Sequence, residues 1–365
     1  MLNKKTIAVV IPTYNEEKQI VSVLETIPSF VDKVVIVNDC STDNTQKIIE
    51  KYLSEKNQKI KLNFKKKKII KNGYNSAEII LEQIKNEELA YYPKFSINKK
   101  NNIHDRFVLI NFKKNSGVGK AISMGYRYCR DNEIDCTAVM AGDGQMDPEE
   151  LKKICLPIAN EEVDYVKGNR LSHRSAYLVI PKVRYLGNSI LSLLTKIASG
   201  YWHISDTQTG FTAISLNALK AIRLHQIYPR YGCPNDILVK LNIAFCSIKE
   251  IPIKPVYNIG EESKMKIFKV IPKISWLLFL SFWKRLYIKY FFRDFHPLFL
   301  LYHFAFVLLI FNIPYTIKAF QALSPGITID IQTTLIFIFC MISSLQALFF
   351  AMWMDMQDNE RLQKF

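Results

Sequence analysis

The hydrophobic pattern of this chain falls into two regimes. Up to about residue 265, short apolar runs alternate with amphipathic stretches; beyond that the chain turns strongly apolar. Ile7–Ile11 is a β-branched run closed by Pro12, and Val34–Val37 is a second such run. Both predict buried strands. Between them Ile20, Val21, Leu24 and Ile27 share one face, which predicts a helix from Glu16 to about Ile27. Ser41 or Thr42 is placed to cap the next helix. Phe107–Ile110 and Cys136–Met140 predict further strands, with a loop and helix over Asn115–Cys129 between them. Pro148-Glu149-Glu150-Leu151 opens another helix, with Pro at a favoured first-turn position. Asp164–Val166 predicts a short strand before Gly168-Asn169-Arg170. The β-α-β-α order implies an α/β fold, a mostly parallel sheet with covering helices.

Residues 53–105 break this order. They are rich in Lys and Asn, include Lys65-Lys66-Lys67-Lys68, and hold one helical stretch from Ser76 to about Glu88. They read as a surface insertion with a structural role. At the other end, Ile267–Phe292 mixes Trp276 and Trp283 with Lys273, Lys284, Arg285 and Lys289, which suits a helix lying in a membrane interface. Pro297–Ile317 and Ile331–Met354 each approach the roughly 20 residues needed to span a bilayer. A buried helical hairpin is the competing reading, and length and apolarity favour the membrane. Basic residues precede the first span, and Arg361 and Lys364 follow the second. The positive-inside rule then places both termini, and the domain before the spans, on the cytoplasmic face.

Charge and cysteine usage narrow the classes. The 365 residues carry a formal net charge of +16, to which the 51–105 stretch contributes thirteen lysines against six acids. No recognition motif accompanies that charge, so nucleic acid is not the expected partner. The seven cysteines form no CxxC pair and the six histidines no HExxH, against a disulfide framework or a zinc site. The first apolar run is too short for a signal peptide.

Polar and acidic residues follow several of the apolar runs. Pro12-Thr13-Tyr14-Asn15-Glu16 follows the first strand and Asn38-Asp39-Cys40-Ser41-Thr42-Asp43 the second. Strand ends are where ligands bind in open α/β sheets, and a carboxylate such as Asp39 can accept hydrogen bonds from a nucleobase or ribose. Ala141-Gly142-Asp143-Gly144-Gln145 offers two hard oxygen donors, Asp143 and Gln145, between glycines that let a diphosphate approach. Lys114–Lys120 is not a P-loop, because Lys114 stands where Gly is required and Ala121 where Ser or Thr is. On the acceptor side, Asp206 precedes Thr207-Gln208-Thr209-Gly210-Phe211 and Asp236 lies in Tyr231-Gly232-Cys233-Pro234-Asn235-Asp236. A hydroxyl nucleophile would need one of them as base, whereas a phosphate nucleophile would need cations, for which Arg170 and Arg184 are the candidates.

On these motifs the chain resembles the family-2 inverting glycosyltransferases of GT-A fold, and among them the dolichol- or undecaprenyl-phosphate sugar transferases. The resemblance implies a GT-A domain over residues 1–265, interfacial helices over 266–294, two membrane spans over 295–356 and a cytoplasmic tail over 357–365. It implies donor binding by Pro12, Tyr14, Glu16, Asp39 and Asp143, and a magnesium or manganese ion on Asp143 and Gln145. It further implies acceptor-side roles for Arg170, Arg184, Asp206 and Asp236. Ala141 departs from the family's DxDxQ pattern at its first Asp. The expected reaction is inverting transfer from a UDP- or GDP-sugar to a polyprenyl phosphate in the membrane. Transfer to a hydroxyl of a lipid-linked glycan or glycolipid, with Asp236 as base, is the second reading. A non-catalytic membrane-anchored binding protein is the third. A processive synthase is disfavoured, since no Trp sits in a Gln-x-x-Arg-Trp motif. A homo-oligomer is left open.

Overall fold

The computed structural model describes residues 1–57, 59–60, 72–97, 104–256, 267–322 and 330–364, with only the backbone of 183–184 and 267–269. The Lys65–Lys68 run lies outside the described residues. The chain begins β1 (Ile7–Thr13), α1 (Ile20–Glu25), β2 (Lys33–Asn38), α2 (Thr45–Lys56). The insertion contributes α3 (Ser76–Glu87) and β3 (Phe95–Ile97). Then follow β4 (Phe107–Phe112), α4 (Val118–Asp131), β5 (Cys136–Val139), α5 (Leu151–Ala159) and β6 (Tyr165–Asn169). Next come α6 (Ala176–Val179), α7 (Lys182–Ser199), β7 (Thr212–Ser215), α8 (Leu216–Ala221), α9 (Cys233–Ile243) and β8 (Ile248–Pro252). The C-terminal part is α10 (Ile267–Tyr287), α11 (Pro297–Gln321), α12 (Ile331–Glu360) and β9 (Gln363–Lys364).

The strands form one nine-stranded sheet in the order β3-β4-β2-β1-β5-β7-β6-β8-β9. Neighbours are parallel except around β3 and β7, which run opposite to the rest. This is the expected mixed, mostly parallel sheet with covering helices. Along β1, Ala8 and Val10 belong to a core shared with α4, α8 and α9, while Ile7, Val9 and Ile11 pack toward α1, α2 and α5. Burial on both faces explains why the strands read as continuous apolar runs rather than alternating ones.

Three details differ from the sequence reading. The first helix begins at Ile20 rather than Glu16; the preceding turn is tied to the second loop, the Glu16 and Glu17 amides donating to Thr45 Oγ1 and the Asp43 carboxylate. Neither Ser41 nor Thr42 caps α2. Asp43 accepts from the Thr45 amide instead, while Ser41 and Thr42 bond to Asn38 and Asn15. The insertion is not wholly peripheral: β3 extends the sheet beside β4, and Glu88 pairs with Arg130 of α4 at 2.9 Å.

Helices α11 and α12 are long and apolar enough to cross a membrane, and only 28% and 22% of their most apolar windows are buried. Phe304, Ile310, Phe320, Leu335, Phe339 and Phe349 are exposed. A buried hairpin would hide such residues; the pair instead has the exposed apolar surface of two candidate membrane spans. The C-terminal end of α12 is fastened to the catalytic domain. Arg285 of α10 and Asp355 of α12, both fully buried, meet through two 2.7 Å bonds, and Arg285 also donates to the carbonyls of Ile197 and Ala198 in α7. Lys289 donates to Asn359 at 2.6 Å, and Tyr290 reaches both Asp355 and Asp358. Burial pushes the Lys289 ammonium down, to about 8, against the pull of Asp358. After this cluster the chain does not leave as a tail. Gln363–Lys364 add β9 beside β8, and Gln363 accepts from the His203 amide at 2.8 Å.

Breaking one half of a buried ion pair strands the other charge. Asp355→Ala is expected to cost about 3–5 kcal/mol in unfolding of the detergent-solubilised protein, and Arg285→Met with Asp355→Leu should recover most of that loss. A single variant as stable as the native chain would refute the fastening role.

Candidate active site

The carboxyl ends of β1, β2, β4, β5 and β6 all open on one edge of the sheet, and because β7 runs opposite, the loop entering it opens there too. Tyr14–Glu16 therefore follow β1, Asp39 follows β2, Asp143 follows β5, Arg170 follows β6, and Asp206–Phe211 lead into β7. The strand order reverses at β1, with β2 and β4 on one side and β5 on the other. Such a reversal leaves a ligand-binding crevice at the strand ends. Asp39 and Asp143 follow the two strands that flank it, β2 and β5, which lie two strand spacings or about 10 Å apart.

The wall beside β1 and β2 is a single laced unit. The Asp39 amide donates to Thr13 O at 2.9 Å, the Thr42 amide to Asn15 Oδ1 at 2.8 Å, and the Asn15 amide to Ser41 Oγ at 3.1 Å. Asn15 and Cys40 take left-handed backbone, φ 55° and 60°, to make both turns. The Asp39 carboxylate accepts from the amides of Ser116 and Gly117, each at 2.7 Å. Burial raises its pKa, and those two bonds and the Arg230 charge oppose the rise. A carboxylate has about four acceptor positions, so these two bonds leave capacity for a ligand. The glycine loop that failed as a P-loop thus serves to aim Asp39. Gly117 sits at φ +92°, and a Cβ there would lie 2.3 Å from Pro229 O.

Across the crevice, Gly144 at φ +77° closes a tight turn in which Asp143 Oδ1 accepts from the Gln145 amide at 3.0 Å. Gly142 backs onto β1: a Cβ there would stand 3.4 Å from Thr13 Oγ1 and 3.6 Å from Glu16 Cγ. Glu16 is thereby set against the Asp143 turn. Among the described residues no three His, Cys, Asp or Glu side chains gather to form a protein-only metal cage. The oxygen donors here instead fit a hard divalent cation that takes one or two carboxylates and completes its shell from a ligand's phosphates.

The acceptor-side acids are held by cations. Arg170 grips Asp206 through Nε at 2.8 Å and Nη2 at 3.1 Å, and the Asp206 carboxylate also accepts from the amides of Arg170, Gln208 and Thr209. Burial alone would raise the Asp206 pKa, but Arg170 and these bonds hold it below the usual carboxylate value. Arg170 itself stays 21% exposed. Asp236, in the first turn of α9, accepts from the Tyr228 amide at 2.8 Å and pairs with Lys240. Arg184 lies in α7, its side chain outside the described residues. Two groups escaped the sequence reading. Lys167 is wholly buried in β6 and donates to Thr209 O at 2.7 Å, its pKa pushed down to about 8 by burial. Glu250 of β8 accepts from the amides of Ser205 and Asp206. A lysine inside a buried strand just before Gly168-Asn169-Arg170 was the available signal for the first. Exposed Leu186, Ile190 and Leu193 also form a stripe on α7, the helix that packs on α10.

Carboxylates gathered at the reversal point of a mostly parallel sheet are the arrangement of a nucleotide-handling α/β enzyme. Residues 8–77 and 96–223, more than half of the chain, match Glycosyl transferase family 2, and the chain belongs to that family. It is a glycosyltransferase. It is 28% identical over 255 residues to the UDP-N-acetylglucosamine–dolichyl-phosphate N-acetylglucosaminyltransferase of Methanococcus voltae, covering 70% of this chain and 87% of the relative. It is 25% identical over 294 residues to a dolichyl-phosphate beta-glucosyltransferase of Trichomonas vaginalis, covering 76% and 74%. Among solved structures, glucosyl-3-phosphoglycerate synthase from Mycobacterium tuberculosis with Mn2+, UDP and phosphoglyceric acid aligns at a TM-score of 0.46 and 16% identity, over 77% of this chain and 78% of that one.

Gly117→Ala forces both a left-handed alanine and a contact with Pro229 O. It is expected to lower stability by about 1–3 kcal/mol and to loosen Asp39, seen as a lowered unfolding midpoint and weaker nucleotide binding by calorimetry. Unchanged values in both measurements would contradict the aiming role.

Proposed function

We propose that this protein moves a sugar from a UDP- or GDP-linked donor to the phosphate of a membrane polyprenyl lipid, with inversion at the anomeric carbon. The names of its relatives support a dolichyl-phosphate acceptor. The observation that carries the choice of a phosphate over a hydroxyl is the state of the acids. Asp206 is spent on Arg170 and three backbone amides, while Asp236 is charge-paired with Lys240 and lines a cavity on the far side of the loop 225–229. A hydroxyl nucleophile needs a base with spare acceptor capacity, whereas a phosphate is already ionised at neutral pH and needs cations.

Each residue then has a task. Pro12, Tyr14, Glu16 and Asp39 hold the nucleoside. Asp143 and Gln145 would hold a magnesium or manganese ion, which supplies charge neutralisation for the departing diphosphate. Asp206 fixes the Arg170 guanidinium, and Arg170 with Arg184 orients the lipid phosphate for in-line attack. The anchor and α10 set this edge at the cytoplasmic face of the bilayer, where a lipid-borne acceptor is available. Residues 1–265 make up the catalytic unit and the rest position it.

The test is to incubate purified protein with polyprenyl phosphate, manganese or magnesium and a panel of labelled nucleotide sugars. A labelled lipid is expected, lost on chelation and restored by manganese. Asp143→Asn should lower turnover by about 100-fold or more. Asp236→Asn should leave turnover within a few-fold of native. Abolished turnover in Asp236→Asn would favour the hydroxyl reading, and no transfer from any donor would overturn the proposal.

A further inference from the structure

A cavity of about 410 Å³ lies between α9, α10 and the loop 225–229, within the roughly 300–1,000 Å³ typical of small-molecule sites. Its two helical walls are built alike. Asp236, Val239, Lys240 and Ile243 line it from α9, and Leu277, Leu280, Ser281 and Lys284 from α10, each set one, four, five and eight along a helix face. Lys120 closes the end near α4. The loop separates this cavity from the catalytic crevice. Arg230, which follows it, lies close enough to Asp39 to affect that carboxylate, while Tyr228 and Pro229 of the loop line the cavity.

The charge in this cavity is unbalanced. Lys120, Lys240 and Lys284 line it against the single carboxylate of Asp236, which pairs with Lys240. Lys120 donates to the His225 carbonyl at 2.6 Å, and Lys284 has no hydrogen-bond partner among the described residues. Burial first, and then the Lys240 charge, lowers the pKa of both Lys120 and Lys284. An anion placed among the three ammonium groups relieves that repulsion. The α10 side of the lining carries an apolar edge that leads outward: Leu277 and Leu280 line the cavity, and Leu280, half exposed, is continuous with exposed Trp276 and Phe279 on the face of α10.

We propose that this cavity binds the phosphodiester headgroup of an anionic membrane lipid, with the lipid's chain lying along Leu277 and Leu280. The site is separate from the crevice that handles the sugar donor. It rests on the membrane anchoring of the chain and not on the identity of the acceptor. Bound lipid would bridge α9 and α10 and hold the catalytic domain at a fixed tilt on the bilayer.

The test uses full-length protein in neutral detergent, with the unfolding midpoint read during titration by dihexanoyl phosphatidylglycerol. A saturable rise is expected. Dihexanoyl phosphatidylcholine and inorganic phosphate at matched ionic strength should give none. Lys284→Gln should weaken the phosphatidylglycerol response about 5-fold, the size expected for one basic residue at an anionic headgroup. Leu280→Asn, exposed and tolerant of change, should weaken it through the chain. Lys152→Gln, on the distant surface of α5, should not. Equal responses to the two lipids, or equal responses of native protein and Lys284→Gln, would overturn the proposal. A response to phosphate matching that to phosphatidylglycerol would overturn the lipid as source and assign the cavity to free phosphate. Binding is read without donor or acceptor, so its failure is distinguishable from failure of sugar transfer.

Discussion

The reversal of strand order at β1 is the constraint on which the rest of this protein depends. With β2 and β4 to one side of β1 and β5 to the other, helices cannot cover the ends of all these strands, and a crevice opens there. The antiparallel β7 then returns a loop to the same edge beside the end of β6. Groups between residues 12 and 211 meet without any long-range sequence signal, because parallel connections always bring strand ends back to one side. Short-range bonds then fix the side chains. The Asn15–Thr42 and Asn15–Ser41 bonds tie the first two loops, and Ser116 and Gly117 set the angle of Asp39.

The second constraint is mechanical. A membrane hairpin joined to a domain by a flexible link would leave the crevice free to tumble above the bilayer. Here Arg285 joins α10 to α12 through Asp355 and to α7 through two carbonyls. Lys289 and Asn242 bring α9 into the same cluster through Asn359. The chain end then joins the sheet as β9. A buried pair of this kind gives little net stability over an apolar substitute, so its value lies in orientation. Helix α7 accepts the Arg285 bonds near its end, so this helix of the catalytic domain is held to α10 and α12 together.

Much of the fold was legible in the sequence because two-sided burial writes strands as unbroken β-branched runs, as in Val34–Val37 and Ile7–Ile11. The spans were legible for a similar reason, since lipid admits few polar groups. What escaped was pairing. Asp355, Asp358 and Asn359 read as the polar end of a span, yet they face Arg285, Lys289 and Tyr290 across some 70 residues. Nothing local announces a two-residue strand such as β9, whose position follows from the fastening that precedes it. The overlong first helix had the opposite cause. Its apolar spacing was real, but the residues before Ile20 are tied to the second loop, with the Glu16 and Glu17 amides donating to Thr45 and Asp43.

The acids show how composition and chemistry part company. Their motifs gave Asp39 to the nucleoside, Asp143 to a metal, and Asp206 and Asp236 to the acceptor side, and their partners distinguish them further. Asp206 faces a guanidinium, Asp236 an ammonium, Asp39 two amides, and Asp143 the Gln145 amide in a glycine turn backed by Glu16. Ala141 removes one negative charge from that turn relative to the family pattern. For a reaction that must bring a diphosphate and a lipid phosphate together, each carboxylate withdrawn from the crevice lowers the repulsion between enzyme and substrates. Pairing Asp206 with Arg170 works in the same direction. The electrostatic design is thus a crevice with few uncompensated acids, suited to two anionic substrates and poorly suited to deprotonating a neutral one.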